Sequence, residues 1–225
     1  NERRHGWAWN AGYARNDVVA FPEPLERLIR ALEKFPGVGA RSAERMALHV
    51  LRSPAEEVAS LAMALRDARM ETCRCEICRN IALKSPCPIC ADATRDAQVV
   101  CVVEGPREVE KLESSHAHQG LYHVLLEGFA PREGAGPDPE SIQHLCRRVQ
   151  SGTVKEIVLA TAPDREGEGA ALLVMEALEG MSVTITRLAR GIPVGTRLEY
   201  LHGEILAEAF RGRRPIDPSE TPPLD

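Results

Sequence analysis

Val99-Val100-Cys101-Val102-Val103-Glu104 is an unbroken apolar run closed by one carboxylate. It is too short for a core helix and too uniformly apolar for a strand with one face in water. It therefore reads as a strand covered on both sides, as in parallel sheets. Downstream the texture repeats, with further strands expected at Tyr122-His123-Val124-Leu125-Leu126, at Glu156-Ile157-Val158-Leu159-Ala160 and at Val183-Thr184-Ile185-Thr186. Helical patterns over 107–113, 140–149 and 168–178 fall between them, and the alternation predicts a mainly parallel sheet over residues 97–190. A last helix is expected over 197–210 and a frayed, Pro-rich tail from Arg213, so that 191–225 form a C-terminal helical segment.

Upstream of that run the character changes twice. Residues 73–96 are rich in cysteine and carry no periodicity, so something other than an apolar core must hold them. Cys75-Glu76-Ile77-Cys78 and Cys87-Pro88-Ile89-Cys90 are two Cys-x-x-Cys knuckles separated by eight residues, a spacing that lets four thiolates close a tetrahedral shell around Zn2+. Four protein ligands leave no open position for a catalytic water, so the predicted zinc is structural. Cys73 offers a spare thiol, but only Cys75 gives two matching knuckles. Cys101 and Cys146 read as small core residues.

Residues 25–72 read as all helical. Leu25, Leu28, Ile29, Leu32 and Phe35 form one apolar stripe that stops at Pro36-Gly37; a second helix runs from after Gly39 to about Ser53-Pro54, and a third from about Ala55 to Met70. Residues 1–24 are polar, end in Phe21-Pro22-Glu23-Pro24, and are expected to be a poorly ordered extension. The resulting fold class is α/β multidomain.

The chain has 225 residues, a formal net charge of −5 and 4% aromatics. That composition suits a helix-rich or mixed α/β chain and argues against a uniformly basic surface. The charge is uneven, however. From Arg27 to Arg52 six cations, Arg27, Arg30, Lys34, Arg41, Arg45 and Arg52, face only Glu33 and Glu44, which points to an anionic partner. No apolar run approaches the ~20 residues that cross a bilayer, and the first residues lack the core of a secretion signal; no membrane association and a cytoplasmic location are expected.

Phe35-Pro36-Gly37-Val38-Gly39-Ala40-Arg41-Ser42-Ala43-Glu44-Arg45 joins the first two helices. A Gly-x-Gly turn lets backbone amides approach a phosphate oxygen, and the helix that follows adds its partial positive end. Arg41 and Arg45 share one helical face, where both can reach a phosphodiester strand. Gly37, Gly39, Arg41 and Arg45 are therefore the expected DNA-binding residues. A third constellation joins Glu104, at a strand end, to Asp164 and Glu166 in Asp164-Arg165-Glu166-Gly167-Glu168. Carboxylates gathered at the carboxyl ends of strands can hold Mg2+ or a partner, or can simply complement the dipole of a helix start.

Taken in order, the Gly37–Gly39 hairpin, the cysteine knuckles, Cys101-Val102-Val103-Glu104, Gly120-Leu121-Tyr122-His123-Val124, Gly136-Pro137-Asp138, Ala160-Thr161, Glu166-Gly167-Glu168, and Arg190-Gly191-Ile192-Pro193-Val194-Gly195 with Leu198-Glu199-Tyr200 resemble the bacterial RecR family over about residues 25–213. The resemblance implies a helix-hairpin-helix domain, a four-cysteine zinc finger and a Toprim domain. It implies a DNA-binding recombination mediator without catalytic activity, assembled as a dimer or tetramer ring on single- and double-stranded DNA. It further implies that RecO and RecF are partners in loading recombinase onto single strands. By the same resemblance, Arg41 and Arg45 line the DNA-facing hole. Subunit contacts are expected from the N-terminal helices and from residues 198–211.

Two segments depart from the family pattern, the extension over residues 1–24 and the stretch 162–168. Residues 162–168 look more like the acidic signature of Toprim enzymes, yet its first acidic position is Ala162. The alternative reading is a Mg2+-dependent nuclease, primase or topoisomerase that uses Glu104, Asp164 and Glu166. For a topoisomerase the nucleophile would have to be Tyr13, Tyr122 or Tyr200.

Overall fold

The computed structural model describes residues 21–125, 137–213 and 215. Residues 1–20 of the expected 1–24 extension, the strand end at Leu126 and most of the expected tail from Arg213 lie outside the described residues. The chain parts into two compact units between Arg69 and Met70.

The first unit is helical. Helix α1 (Glu23–Leu32) starts two residues inside the stretch assigned to the extension, because Pro24 is tolerated in a first turn, where its missing N–H costs nothing. It ends at Leu32, so Phe35 leaves the apolar stripe and stands exposed. Helices α2 (Ala40–Arg52) and α3 (Ala55–Glu71) follow. Leu25, Ala43 and Ala47 are the buried apolar residues here; Ala43 and Ala47 are one turn apart, and their small side chains let a neighbouring element approach closely. Helix α3 buries no residue and leaves Leu61, Met63, Leu65 and Met70 exposed.

The second unit begins with a two-stranded ribbon, β1 (Cys73–Arg74) and β2 (Ile81–Ala82), and the short helix α4 (Pro88–Ala91). Then come β3 (Asp96–Val103), α5 (Pro106–Ser115), β4 (Gly120–Val124), α6 (Pro139–Gln150), β5 (Glu156–Leu159), α7 (Arg165–Ala177) and β6 (Thr184–Arg187). These strands form one parallel sheet in the order β4-β3-β5-β6. Strand β3 alternates between two cores. Val100 and Val102 pack with Leu145, Ile157 and Val174 under α6 and α7, while Cys101 and Val103 pack with Val109 under α5. Each fully buried valine or leucine contributes about 1.5–3 kcal/mol, which explains why an apolar run with no polar face is stable only here. Cys101 is indeed a core residue, and Cys146 on α6 turns its thiol to the Ala177 carbonyl at 3.4 Å.

Beyond the sheet the expected 197–210 helix is divided. A 3-10 turn at Leu198–Tyr200 is followed by extended backbone at Leu201 and His202, and α8 (Gly203–Arg211) then begins. His202 at the helix start has φ −66° and ψ 146°, outside helical values, so the apolar period of this segment belongs to two short elements. Leu198, Tyr200 and Phe210 are exposed on them.

The outer margin of β4 is closed by side chains. Its outward carbonyls at Gly120, Tyr122 and Val124 accept from Arg95 Nη1 at 2.8 Å, Arg148 Nη1 at 2.7 Å and Ser141 Oγ at 2.6 Å. The Val124 amide donates to the Cys78 carbonyl at 2.9 Å.

Candidate functional site

In the hairpin, Gly37 adopts φ +77°, the left-handed region that a side chain disfavours, and this reverses the chain after Pro36. Gly39 is different: its φ of −86° and ψ of 170° are open to any residue, and a Cβ added there would meet nothing within 4 Å. Neither conformation nor packing inside the chain requires glycine at 39. Gly39 caps α2 through its carbonyl, which accepts from Ser42 and Ala43 at 2.9 Å each, and no side chain caps the helix start. The amides of Gly39, Ala40 and Arg41 have no acceptor among the described residues and face outward, where the helix dipole favours an anion.

Arg41 and Arg45 lie exposed on the α2 face that starts at this open end. With Glu44, Leu48, His49 and Arg52 they border one shallow depression of about 450 Å³. Arg41, Arg45 and Arg52, with His49 among them, thus line one face along some three turns. His49 and Arg52 were not among the predicted site residues, although their spacing of four and then three residues beyond Arg45 placed them on the same face.

The metal centre is built by backbone reversals. Pairing of Cys73 with Ala82 and of Arg74 with Ile81 folds the first knuckle back, and Arg79 at φ 65° completes the turn, its amide bonding the Cys75 carbonyl at 2.8 Å. Helix α4 presents the second knuckle. The ligand atoms of Cys75, Cys78, Cys87 and Cys90 all lie within 4.8 Å of one another, while Cys73 is exposed outside this group. The Cys78 and Cys87 sulfurs are 3.7 Å apart, against about 3.8 Å for two corners of a tetrahedron with 2.3 Å zinc–sulfur bonds. The Cys87 amide approaches the Cys75 sulfur at 3.4 Å, and the Cys90 amide the Cys87 sulfur at 3.4 Å.

The thiols would ionise together only around a cation. Burial raises the Cys75 thiol, but the amides of Cys78, Cys87 and Ile77 outweigh it and bring it down to about 7. The Cys78 thiol is pushed far up, first by its hydrogen bond with Cys90 and then by burial, and burial pushes Cys87 up to about 11. Four crowded thiols in a tetrahedral array form a soft all-sulfur set of the kind that suits Zn2+ or iron. The four-cysteine cluster therefore fits a structural zinc, which it would hold without supplying chemistry.

The acidic corner is held together differently. Glu104 Oε1 accepts from the Ala162 amide at 2.7 Å, and Asp164 Oδ1 caps α7 by accepting from the Gly167 amide at 2.8 Å. That cap starts α7 at Arg165, three residues before the expected position. Gly167 is required by space, since a Cβ would lie 2.2 Å from the Ala162 carbonyl oxygen and 2.7 Å from Glu104 Oε1. Glu168 bonds Arg190 and Arg187, the latter at 2.9 Å, and these two guanidinium groups hold its carboxyl below the usual range. Glu166 is exposed on the first turn of α7. Among the described residues only the four cysteines bring three or more candidate ligand atoms together, so Glu104, Asp164 and Glu166 are not gathered as one ligand set.

No helix among the described residues is long and apolar enough to cross a membrane. Residues 25–69 match the family model "RecR, helix-hairpin-helix", and residues 98–189 match the Toprim domain. The chain is similar to the recombination protein RecR of Moorella thermoacetica, with 44% identity over 197 residues that span 88% of this chain and 99% of that protein. It is 44% identical to the RecR of Desulforudis audaxviator over 88% of this chain and all of that protein, and 42% identical to that of Koribacter versatilis over 87% and 98%. With the hairpin, the four-cysteine cluster and the four-stranded parallel Toprim sheet in one order, this chain belongs to the RecR family of recombination proteins.

Proposed function

We propose that the chain is a non-enzymatic, cytoplasmic recombination mediator that binds single- and double-stranded DNA through the α1–α2 hairpin, closes around it as a homo-oligomer, and acts with RecO and RecF to load recombinase onto single strands. The observation that carries this reading is the open end of α2. Unclaimed amides at Gly39, Ala40 and Arg41 are followed on one face by Arg41 and Arg45, which is what a passing phosphodiester strand needs. The exposed apolar side chains of α3, and those at Leu198, Tyr200 and Phe210, supply surface for subunit contacts.

The non-enzymatic reading is supported by how the carboxylates are employed. Asp164 is committed to the α7 cap, Glu104 to the Ala162 amide, and Ala162 stands where a further carboxylate would be needed. One oxygen each of Glu104 and Asp164 ties β3 to the start of α7, and the second oxygens stay open to a weakly held Mg2+.

The test is the salt dependence of DNA affinity for wild type and the Arg41→Ala/Arg45→Ala variant, each with and without a RecO-type partner. Each arginine that neutralises a phosphate steepens the slope of log affinity against log salt by about 0.9 on duplex and about 0.7 on single strands, per subunit engaged. An identical slope in the double variant would remove the hairpin as the DNA grip. Magnesium-dependent turnover of labelled DNA that disappears in Glu104→Ala would refute the absence of catalysis.

A further inference from the structure

The guanidinium of Arg148, on α6, is the unexplained charge of the second unit. Its Nη1 donates to the Tyr122 carbonyl at 2.7 Å, while its Nη2 is shut off from solvent with no hydrogen-bond partner. The other partly buried arginines nearby have acids: Arg95 pairs with Glu113, and Arg79 lies 3.7 Å from Asp138 and 3.5 Å from Glu140. Arg148 forms no ion pair with a carboxylate among the described residues. A part-buried guanidinium with one nitrogen shut off from water and no carboxylate beside it gains from a negative charge of another kind close by.

The four-cysteine module meets the same strand. Tyr122, whose carbonyl Arg148 holds, is two residues from Val124, whose amide binds Cys78 of the first knuckle, and Ile89 between the last two cysteines packs against both sheet cores and the cysteine cluster. We propose that Arg148 is the counter-cation of the four-cysteine metal centre: its positive charge offsets the negative charge that four thiolates retain around a divalent ion, and so helps set affinity for that ion. The proposal rests on the cluster being a metal site. Four thiolates around a dication keep two negative charges in a largely dry setting, so a fixed positive charge beside them favours the loaded over the empty site. The field at Arg148 agrees: burial works to remove its proton, and the sulfurs of Cys90, Cys78, Cys75 and Cys87 work to keep it. Arg148 is a positioning residue in this scheme, outside the ligand shell.

The competing role is a plain clasp, in which Arg148 only ties α6 to the margin of β4. Three variants of the full chain separate the two. Arg148→Lys keeps the charge, Arg148→Gln keeps an N–H for the Tyr122 carbonyl without charge, and Arg148→Met keeps neither. Zinc affinity is read by competition with a chelator of known strength, and cobalt(II) substitution reports by its absorption whether the tetrahedral sulfur shell persists. A charge role predicts zinc held about 10–100-fold more weakly by Gln and Met, with Lys near wild type. Equal affinities across the set, or equal losses in Lys and Gln, overturn the proposal. If Gln and Met fail to fold, rescue by excess zinc supports it and indifference to zinc overturns it, because only weakened binding is recovered by mass action. Zinc binding absent in the wild type would instead show that the metal assignment is wrong.

Discussion

Gly39→Ala isolates the close approach of main chain to phosphate from the attraction of charge. The added methyl group would meet nothing within 4 Å, and the backbone at φ −86° already suits alanine. The fold should therefore survive with a loss of up to about 1 kcal/mol from the poorer helix cap. DNA should respond much more strongly. A methyl group in front of the amides of Ala40 and Arg41 displaces a phosphate oxygen from at least one charge-assisted hydrogen bond, each worth about 1.5–3 kcal/mol, so affinity should fall roughly 10- to 100-fold. Because no charge is removed, the salt slope should stay at the wild-type value, whereas Arg41→Ala should make it shallower by about 0.9 per engaged subunit on duplex DNA. Fluorescence anisotropy on a labelled oligonucleotide between about 50 and 200 mM salt reads both quantities. Wild-type affinity in Gly39→Ala would refute the idea that phosphate sits against this backbone, whatever the arginine variants show.

Two further outcomes are expected. Cys87→Ser or prolonged chelation should release about one zinc per chain and unfold residues 73–91, seen as rapid amide exchange there, because ligation and folding of such a module are one equilibrium; a metal-free protein with native protection would contradict it. His123 is fully buried, and burial lowers its imidazole from 6.5 to about 4. Above pH 6.5 the ring is neutral in both states and its contribution is complete; between 6.5 and about 4 only the unfolded chain takes up the proton. Stability should thus fall with pH across that window, by about 3 kcal/mol in all, and level off below it. Denaturation midpoints of His123→Asn that change with pH as steeply as wild type would show that another group is responsible.

The sheet and the knuckles were legible because each rests on a local rule. Residues 99–103 have no polar face, so burial on two sides is the stable outcome, and β3 delivers Val100 and Val102 to one core and Cys101 and Val103 to the other. Two Cys-x-x-Cys turns need only a ribbon and a short helix to meet. What escaped reading depends on long-range placement. Nothing around Arg148 in the sequence distinguishes it from its neighbour Arg147, because its significance comes from Tyr122, 26 residues away, and from the cysteines further upstream. The apolar period over 197–210 continues across Leu201 and His202 although the backbone there is extended, so a period alone could not locate the break. At the acidic corner, residue types left a metal, a partner and a helix-start complement all open. The amides of Ala162 and Gly167, each on one oxygen of Glu104 or Asp164, are contacts that residue types alone did not foretell.

The arginine, serine and knuckle contacts along β4 have a consequence for handling the protein. An outermost strand with free carbonyls and amides is a template on which another chain can add itself. Here part of the shield is the Cys78 carbonyl on the Val124 amide, and that carbonyl keeps its place only while the knuckle stays folded. Stripping the ion should therefore do more than loosen a small module. It should bare a sticky seam, and preparations in which the knuckle has come apart should clump before the sheet itself melts.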